Sequence, residues 1–285
     1  MSPPSGKTRL RVLTYMCPTH PVQLYELIME LLERALDCHC TLTYESRGAG
    51  PLEGREDPFE ADQADIAFMS AASFMNLRKT SQFAELLPVT PVFTHPKNVN
   101  NEPGYYADII VHRDKMAHNV SELQDLRGCS FAFSSEESLS GSVVILKALH
   151  DAGENATFFG NTLESGSHMS SAQMVLTKQV EWASVDATSL LYSKKYMQDA
   201  GRDIVILKSI GPLPAYPVVI NSRLPAELKA TLTEIFLTLP HDGEWKKRFA
   251  KYGVVKYAPN SEDSYEQQTE AKDATKRTSF NVCYY

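Results

Sequence analysis

Ser134-Ser135-Glu136-Glu137-Ser138-Leu139-Ser140-Gly141-Ser142 places five serines and a glycine in one short stretch, and it runs directly into Val143-Val144-Ile145-Leu146-Lys147-Ala148-Leu149. Hydroxyl groups at a helix start suit one chemistry above others, the holding of an oxyanion. The first turn of a helix leaves backbone N–H groups without intrahelical partners, and the helix dipole makes that end partly positive. Gly141 lets the backbone come close to whatever sits there. Serine is also a preferred N-cap, so the same residues fit an ordinary capped surface helix, and both readings stand at this point.

The other chemistry-bearing residues form no established catalytic motif. There is no Gly-x-Ser-x-Gly elbow, no Walker-type phosphate loop and no helical His pair for a metal, so no catalytic residue is assigned. Cysteines occur at 17, 38, 40, 129 and 283. An odd, irregularly spaced set fits reduced thiols better than a disulfide framework. Cys38-His39-Cys40 has no second ligand pair at a suitable distance, so neither a metal nor any other cofactor is expected.

These residues must be positioned by alternating strands and helices. Strands are expected at Arg9 to Tyr15, Thr41 to Tyr44, Ala64 to Met69, Phe83 to Val92, Asp108 to Val111 and Ser130 to Phe133. Further along, Ala156 to Phe159, Trp182 to Val185, Ile204 to Leu207 and Val218 to Ile220 continue the alternation. Gln23 to Leu36 carries Leu24, Leu27, Ile28, Leu31, Leu32 and Ala35 at the spacing of one helical face. Other helices are expected after Ser70 or Ser73, from the serine loop to about Asp151, near Ser170 to Gln179, and from Pro225 to Leu239 with proline in the first turn. Such alternation implies α/β layers with mostly parallel sheets and helices on both faces. Breakers at Pro103-Gly104 and at Gly211-Pro212-Leu213-Pro214-Ala215-Tyr216-Pro217 divide the pattern.

A chain of 285 residues, 43% hydrophobic and 22% charged, is long enough for two lobes and excludes wholesale disorder. The net charge of −7 and the lack of a basic stripe argue against nucleic acid. Lys246-Lys247-Arg248 after Trp245 reads as a solvated helix face. No segment approaches 18 uninterrupted apolar residues, so no membrane span is expected. The first charged residues lead straight into Leu10-Arg11-Val12-Leu13, without an apolar stretch of signal-peptide length, and the expectation is a cytoplasmic protein. Residues 259–285 are polar, too poor in apolar groups to pack as a domain, and could form a dangling helix or bind a protein partner.

Four segments in order resemble the phosphate/phosphonate-binding branch of the type II periplasmic-binding-protein fold, the solute receptors of bacterial ABC importers. They are Asp65-Ile66-Ala67-Phe68-Met69-Ser70, Tyr105-Tyr106-Ala107-Asp108-Ile109-Ile110-Val111, the pair Leu126-Arg127-Gly128 and Ser138-Leu139-Ser140-Gly141, and Glu164-Ser165-Gly166-Ser167-His168 followed by Ser184-Val185-Asp186-Ala187. The resemblance covers roughly residues 8 to 240. It implies two α/β lobes, residues 8–104 with 215–258 and residues 105–214, closing by a hinge on a small anionic ligand in the cleft between them. It also implies that Ser138, Ser140, Gly141 and Ser142 hold the anion, with His168 facing the ligand. Asp186 would orient a ligand amine, or else cap the next helix. Tyr15, His20, Ser70 and Tyr106 become candidates for the walls of the site.

This chain departs from the pattern twice. Leu139 stands where the family has threonine, which removes a hydroxyl. Tyr216, in Pro214-Ala215-Tyr216-Pro217, stands where aminoalkyl-phosphonate receptors carry an aspartate, which substitutes an aromatic wall for a carboxylate. The function expected is therefore a binding protein or sensor for a small oxyanion or phospho-compound. An enzyme on the same fold and a protein-interaction scaffold are the alternatives.

Overall fold

The computed structural model describes residues 8–15, 20–239 and 242–265. Cys17, Cys283 and the greater part of the polar tail, residues 266–285, lie outside the described residues. Packing divides the described chain into two compact units, one running to Pro103 and resuming over Ala215–Ser264, the other spanning Gly104–Pro214.

The first unit opens with β1 (Arg9–Thr14), α1 (Val22–Leu36), β2 (His39–Tyr44), β3 (Ile66–Phe68), α2 (Ala71–Leu77), β4 (Ala84–Leu87) and β5 (Val89–Phe93). The second contains β6 (Tyr105–His112), β7 (Ser130–Phe133), α3 (Val144–Asp151), β8 (Asn161–Glu164), α4 (His168–Leu176), β9 (Trp182–Asp186), α5 (Ala187–Tyr196) and β10 (Ile204–Leu213). The chain then completes the first unit with β11 (Val218–Asn221), α6 (Ala226–Thr238), α7 (Gly243–Ala250) and β12 (Val254–Pro259).

Each unit is built on a five-stranded sheet, ordered β2-β1-β3-β11-β4 in the first and β10-β6-β9-β7-β8 in the second. The expectation of mostly parallel sheets is corrected: both sheets are mixed. β1 pairs in parallel with β2 and β3, and β7 with β8 and β9. β11 runs antiparallel to β3 and β4, as β6 does to β9 and β10 to β6. Apolar patterning reports burial on both faces and is silent on direction. The antiparallel strands border the segments where the chain leaves one unit for the other: β6 follows Gly104, while β10 and β11 flank Pro214-Ala215.

The second unit's central strands are buried on both faces, and successive side chains point to opposite ones, as a pleated sheet requires. Ile109, Val111, Phe131, Phe133 and Trp182 pack with Ile145 and Leu149 of α3 on one face. Ile110, Ala132, Ala183 and Val185 pack with Ala172 and Val175 of α4 and Leu190 of α5 on the other. Helices on both faces are thus observed here. Trp182, with its ring 4.1 Å from that of Phe131, is fully enclosed.

Several boundaries move for identifiable reasons. The single strand expected over Phe83 to Val92 splits at Pro88, whose missing N–H interrupts a ladder. β4 stays in the main sheet, and β5 forms a separate antiparallel ribbon with β12, a strand the sequence reading did not anticipate. Ala156–Phe158 is a 3₁₀ turn capped by Asn155, and the strand follows it as β8. Pro225 caps α6 instead of occupying its first turn. Lys246 and Lys247 are exposed as expected, whereas Arg248 forms a two-pronged pair with Glu30 of α1 and lies 4.7 Å from the Trp245 ring centroid.

The Asp65 that opens β3 is a structural clamp. Its Oδ2 accepts the Arg11 backbone N–H at 2.7 Å and the Arg11 Nε–H at 3.0 Å, while Oδ1 takes a third bond from the guanidinium at 2.7 Å. Asp65 and Asp62 hold the guanidinium pKa above its ordinary value. Asp65→Ala should take three bonds from Arg11, leave its guanidinium to Asp62 alone, and lower unfolding free energy by about 1–3 kcal/mol, measured by urea denaturation. An unchanged midpoint would show that the clamp carries no stability.

Candidate functional site

The parallel strands β8, β7 and β9 end at one edge of the second unit's sheet, and three helices start there. Open α/β sheets present ligands at that edge. Phe133 of β7 hands over to Ser134 and the serine loop. Ser138 then caps a wide turn at Leu139–Val143 that continues as α3, and its Oγ accepts the Gly141 N–H at 3.0 Å. A hydroxyl that accepts in this way keeps its own proton for a further acceptor. The Ser142 and Val143 N–H groups both reach Ser138 C=O at 3.0 Å, and the first-turn amides of Leu139 and Ser140 have no acceptor within the helix.

His168 is the first residue of α4, and Ser167 caps that helix by accepting the Ser170 N–H. The imidazole is buried between two strand ends. Its Nδ1 accepts the Asp186 backbone N–H at 3.3 Å, and its Nε2 lies 3.4 Å from Ser140 Oγ. An accepting Nδ1 makes the ring neutral, with its proton on Nε2 on the Ser140 side. Burial pushes the imidazole pKa down, against a smaller opposing pull from Asp186. Ser184, in mid-β9, fixes the loop from below by donating its hydroxyl to Ser140 C=O at 2.6 Å.

Two nominated side chains act within the scaffold. Ser142 is fully buried and donates to Glu136 C=O at 3.0 Å, so its hydroxyl closes the loop. Asp186 caps α5: its Oδ1 accepts the Thr188 N–H at 2.7 Å, the Ser189 N–H at 3.0 Å and the Thr188 hydroxyl at 2.5 Å. Of the two readings left open for Asp186, the geometry gives capping. Leu139 is buried. Tyr106 is the second residue of β6, at this same edge, one residue before Ala107, which pairs with Asp186.

Sequence reasoning did not single out Ser134 or Ser184. Ser134 Oγ is buried, has no hydrogen-bond partner among the described residues, and flanks Gly141. A polar residue between buried Ala183 and Val185 was the available signal for Ser184.

The four remaining candidates gather at one edge of the first unit's sheet. Tyr15 follows β1 and donates its backbone N–H to Phe68 C=O at 2.8 Å. Burial, aided by Asp57 and Glu45, pushes the Tyr15 hydroxyl up to about 12. Ser70 caps α2, accepting the Ser73 N–H at 3.1 Å. His20 and Tyr216, nominated separately, pack together: the imidazole stacks on Phe93 at 5.0 Å and meets the Tyr216 ring edge-on at 5.0 Å. Beside them, Leu24, Tyr25, Phe68 and Tyr257 enclose a cavity of about 20 Å³, room for one water molecule.

Among the described residues, no group of three or more His, Cys, Asp and Glu side chains could hold a metal ion. His39 does not join its cysteine neighbours; it is exposed and faces Glu33.

The chain matches the family model described as the phosphonate ABC transporter periplasmic substrate-binding protein over residues 12–265. No curated protein sequence matches it. Among solved structures it is similar to a binding-protein component of an ABC phosphonate transporter from Pseudomonas aeruginosa, with 17% identity, a TM-score of 0.74, and coverage of 94% of this chain and 86% of that one. It is also similar to PhnD1 of Prochlorococcus marinus, solved with methylphosphonate, with 14% identity, a TM-score of 0.71, and coverage of 93% and 97%. A Xanthomonas citri protein solved with chloride gives 14% identity, a TM-score of 0.64, and coverage of 94% and 98%.

Proposed function

We propose a function from one premise, that the chain belongs to the phosphonate-binding family of ABC-transporter periplasmic substrate-binding proteins: it captures a small tetrahedral oxyanion, of the phosphonate or phosphate class, at the serine edge of its second unit. One observation carries this reading. The free proton of the Ser138 hydroxyl, the first-turn amides of the serine loop, and the paired Ser140 hydroxyl and neutral His168 meet at the end of one sheet. Each is a hydrogen-bond donor, and a tetrahedral oxyanion is the ligand with enough acceptors to use several at once. Closure of the two lobes on the bound ligand belongs to the same proposal.

The periplasmic character of the family points to an extracytoplasmic setting in place of the cytoplasmic one expected from the cysteines and the N-terminal residues. Among the described residues, no helix is long and apolar enough to cross a membrane.

Titration with methylphosphonate and with inorganic phosphate, read by calorimetry and thermal denaturation, tests the proposal. A ligand at 100-fold excess over its dissociation constant should stabilise the protein by about 2.7 kcal/mol. Ser140→Ala should weaken that ligand by about tenfold, the loss of one hydrogen bond to a charged group. If neither oxyanion shifts the melt, or if Ser140→Ala leaves the affinity unchanged, the assignment fails.

A further inference from the structure

Cys38 and Cys40 lie apart from everything described above, at the junction of α1 and the edge strand β2. α1 ends at Asp37, which caps it in the left-handed region at φ 49. Cys38 follows, and β2 opens at His39 with Cys40 as its second residue. The two sulfurs meet at 3.9 Å, each side chain is buried, and His39 between them points to solvent. We infer that Cys38 and Cys40 form a reversible disulfide, a redox-sensitive clasp that locks the α1–β2 junction.

Three observations favour a disulfide over a metal or a permanently reduced pair. A metal would have two sulfur ligands and no third, because His39 faces away. It would also require two lasting thiolates, which the surroundings resist, whereas thiol–disulfide exchange needs one thiolate only in passing. The Cys38 S–H points at Leu32 C=O at 3.7 Å, at the negative end of α1, and Glu33 Oε1 stands 2.7 Å from the Cys40 N–H. Burial, as the first cause, raises both thiol pKa values. The disulfide is the oxidised form that carries no charge into this place. Finally, the family works in the periplasm, which is kept oxidising.

The step balances with a small-molecule disulfide such as oxidised glutathione. The thiolate of one cysteine attacks it and releases one thiolate. The second cysteine then attacks the mixed disulfide, forms the Cys38–Cys40 bond and releases the second thiolate. Two electrons pass to the oxidant, and the two cysteine protons go to the two released thiols.

The test uses the full chain. The folded protein is equilibrated with reduced and oxidised glutathione at several ratios, quenched in acid, alkylated in denaturant and digested with trypsin. Cleavage after Arg34 and Arg47 yields residues 35–47, a peptide with these two cysteines and no others. At oxidising ratios the expected peptide is unlabelled and lighter by two hydrogens, about 2 Da, and dithiothreitol before the quench restores two labels. In Cys38→Ser the same peptide should instead carry a label or glutathione on Cys40. Two labels in the wild-type peptide at every ratio, or a stable glutathione adduct without the internal bond, would overturn the inference.

Discussion

Gly141→Ala is expected to destabilise the second unit and to weaken oxyanion capture together. A Cβ built on Gly141 would lie 2.6 Å from Ser134 Oγ, 2.9 Å from Ser138 Oγ and 3.2 Å from the Ser134 backbone nitrogen. Neither hydroxyl can step aside freely. Ser138 Oγ is the cap that accepts the Gly141 N–H, and the Ser134 side chain is already buried. The methyl group must push the cap out or displace the backbone after β7. Overpacking of that kind costs about 1–3 kcal/mol, and loss of a serine cap adds about 1 kcal/mol. Because Leu139 and Ser140 follow the cap directly, their amides lose their aim with it. Binding of methylphosphonate should fall by more than tenfold, whereas Ser140→Ala removes one hydroxyl from an intact loop. Urea denaturation beside calorimetry separates the two effects. Wild-type affinity and stability in Gly141→Ala would show that the loop tolerates the side chain and that its geometry is not the source of binding.

The second large effect is a pH dependence owed to His168. Burial keeps the folded-state pKa of this imidazole below its ordinary value of 6.5. The unfolded chain therefore binds a proton at a pH where the folded protein does not. Stability then rises with pH wherever the unfolded state holds more protons. The neutral ring's contribution is complete above about pH 6.5 and is lost progressively as pH falls toward the depressed folded value. Protonation would also put a donor on Nδ1, against the Asp186 N–H that it now accepts.

His168→Gln, with an amide that can accept from Asp186 and donate toward Ser140 but does not titrate, should remove this part of the acid slope. His168→Ala should cost more at all pH values, since it removes a buried ring and the bond that ring accepts from the Asp186 N–H, about 1–3 kcal/mol. Melting temperatures from pH 4.5 to 8 for the three proteins provide the check. Parallel curves for wild type and His168→Gln would remove His168 as the titrating group.

Much of the fold was legible because buried strands and amphipathic helices announce themselves by period. β7 and the buried face of α1 follow directly from their apolar residues. Strand direction was not legible, since β6 and β9 carry the same apolar run whether parallel or antiparallel. Nor was β12, whose Lys256 interrupts its apolar residues and masked a strand that is defined by its partner β5. In the candidate site, the serine loop and His168 were found by residue type. Ser184 escaped because its role is to hold a carbonyl across a 44-residue separation, a relation that no local pattern encodes. The pairing of His20 with Tyr216 escaped for the same reason.

The neutral state of His168 has a consequence for how an anion would be retained. The groups gathered at this edge, serine hydroxyls, peptide N–H groups and an uncharged imidazole, include no formal positive charge. Attraction between full charges is screened by salt, whereas short, directed hydrogen bonds in a buried place are not. Capture of this kind would depend little on ionic strength. It would sort anions by shape and by the number of acceptors they present.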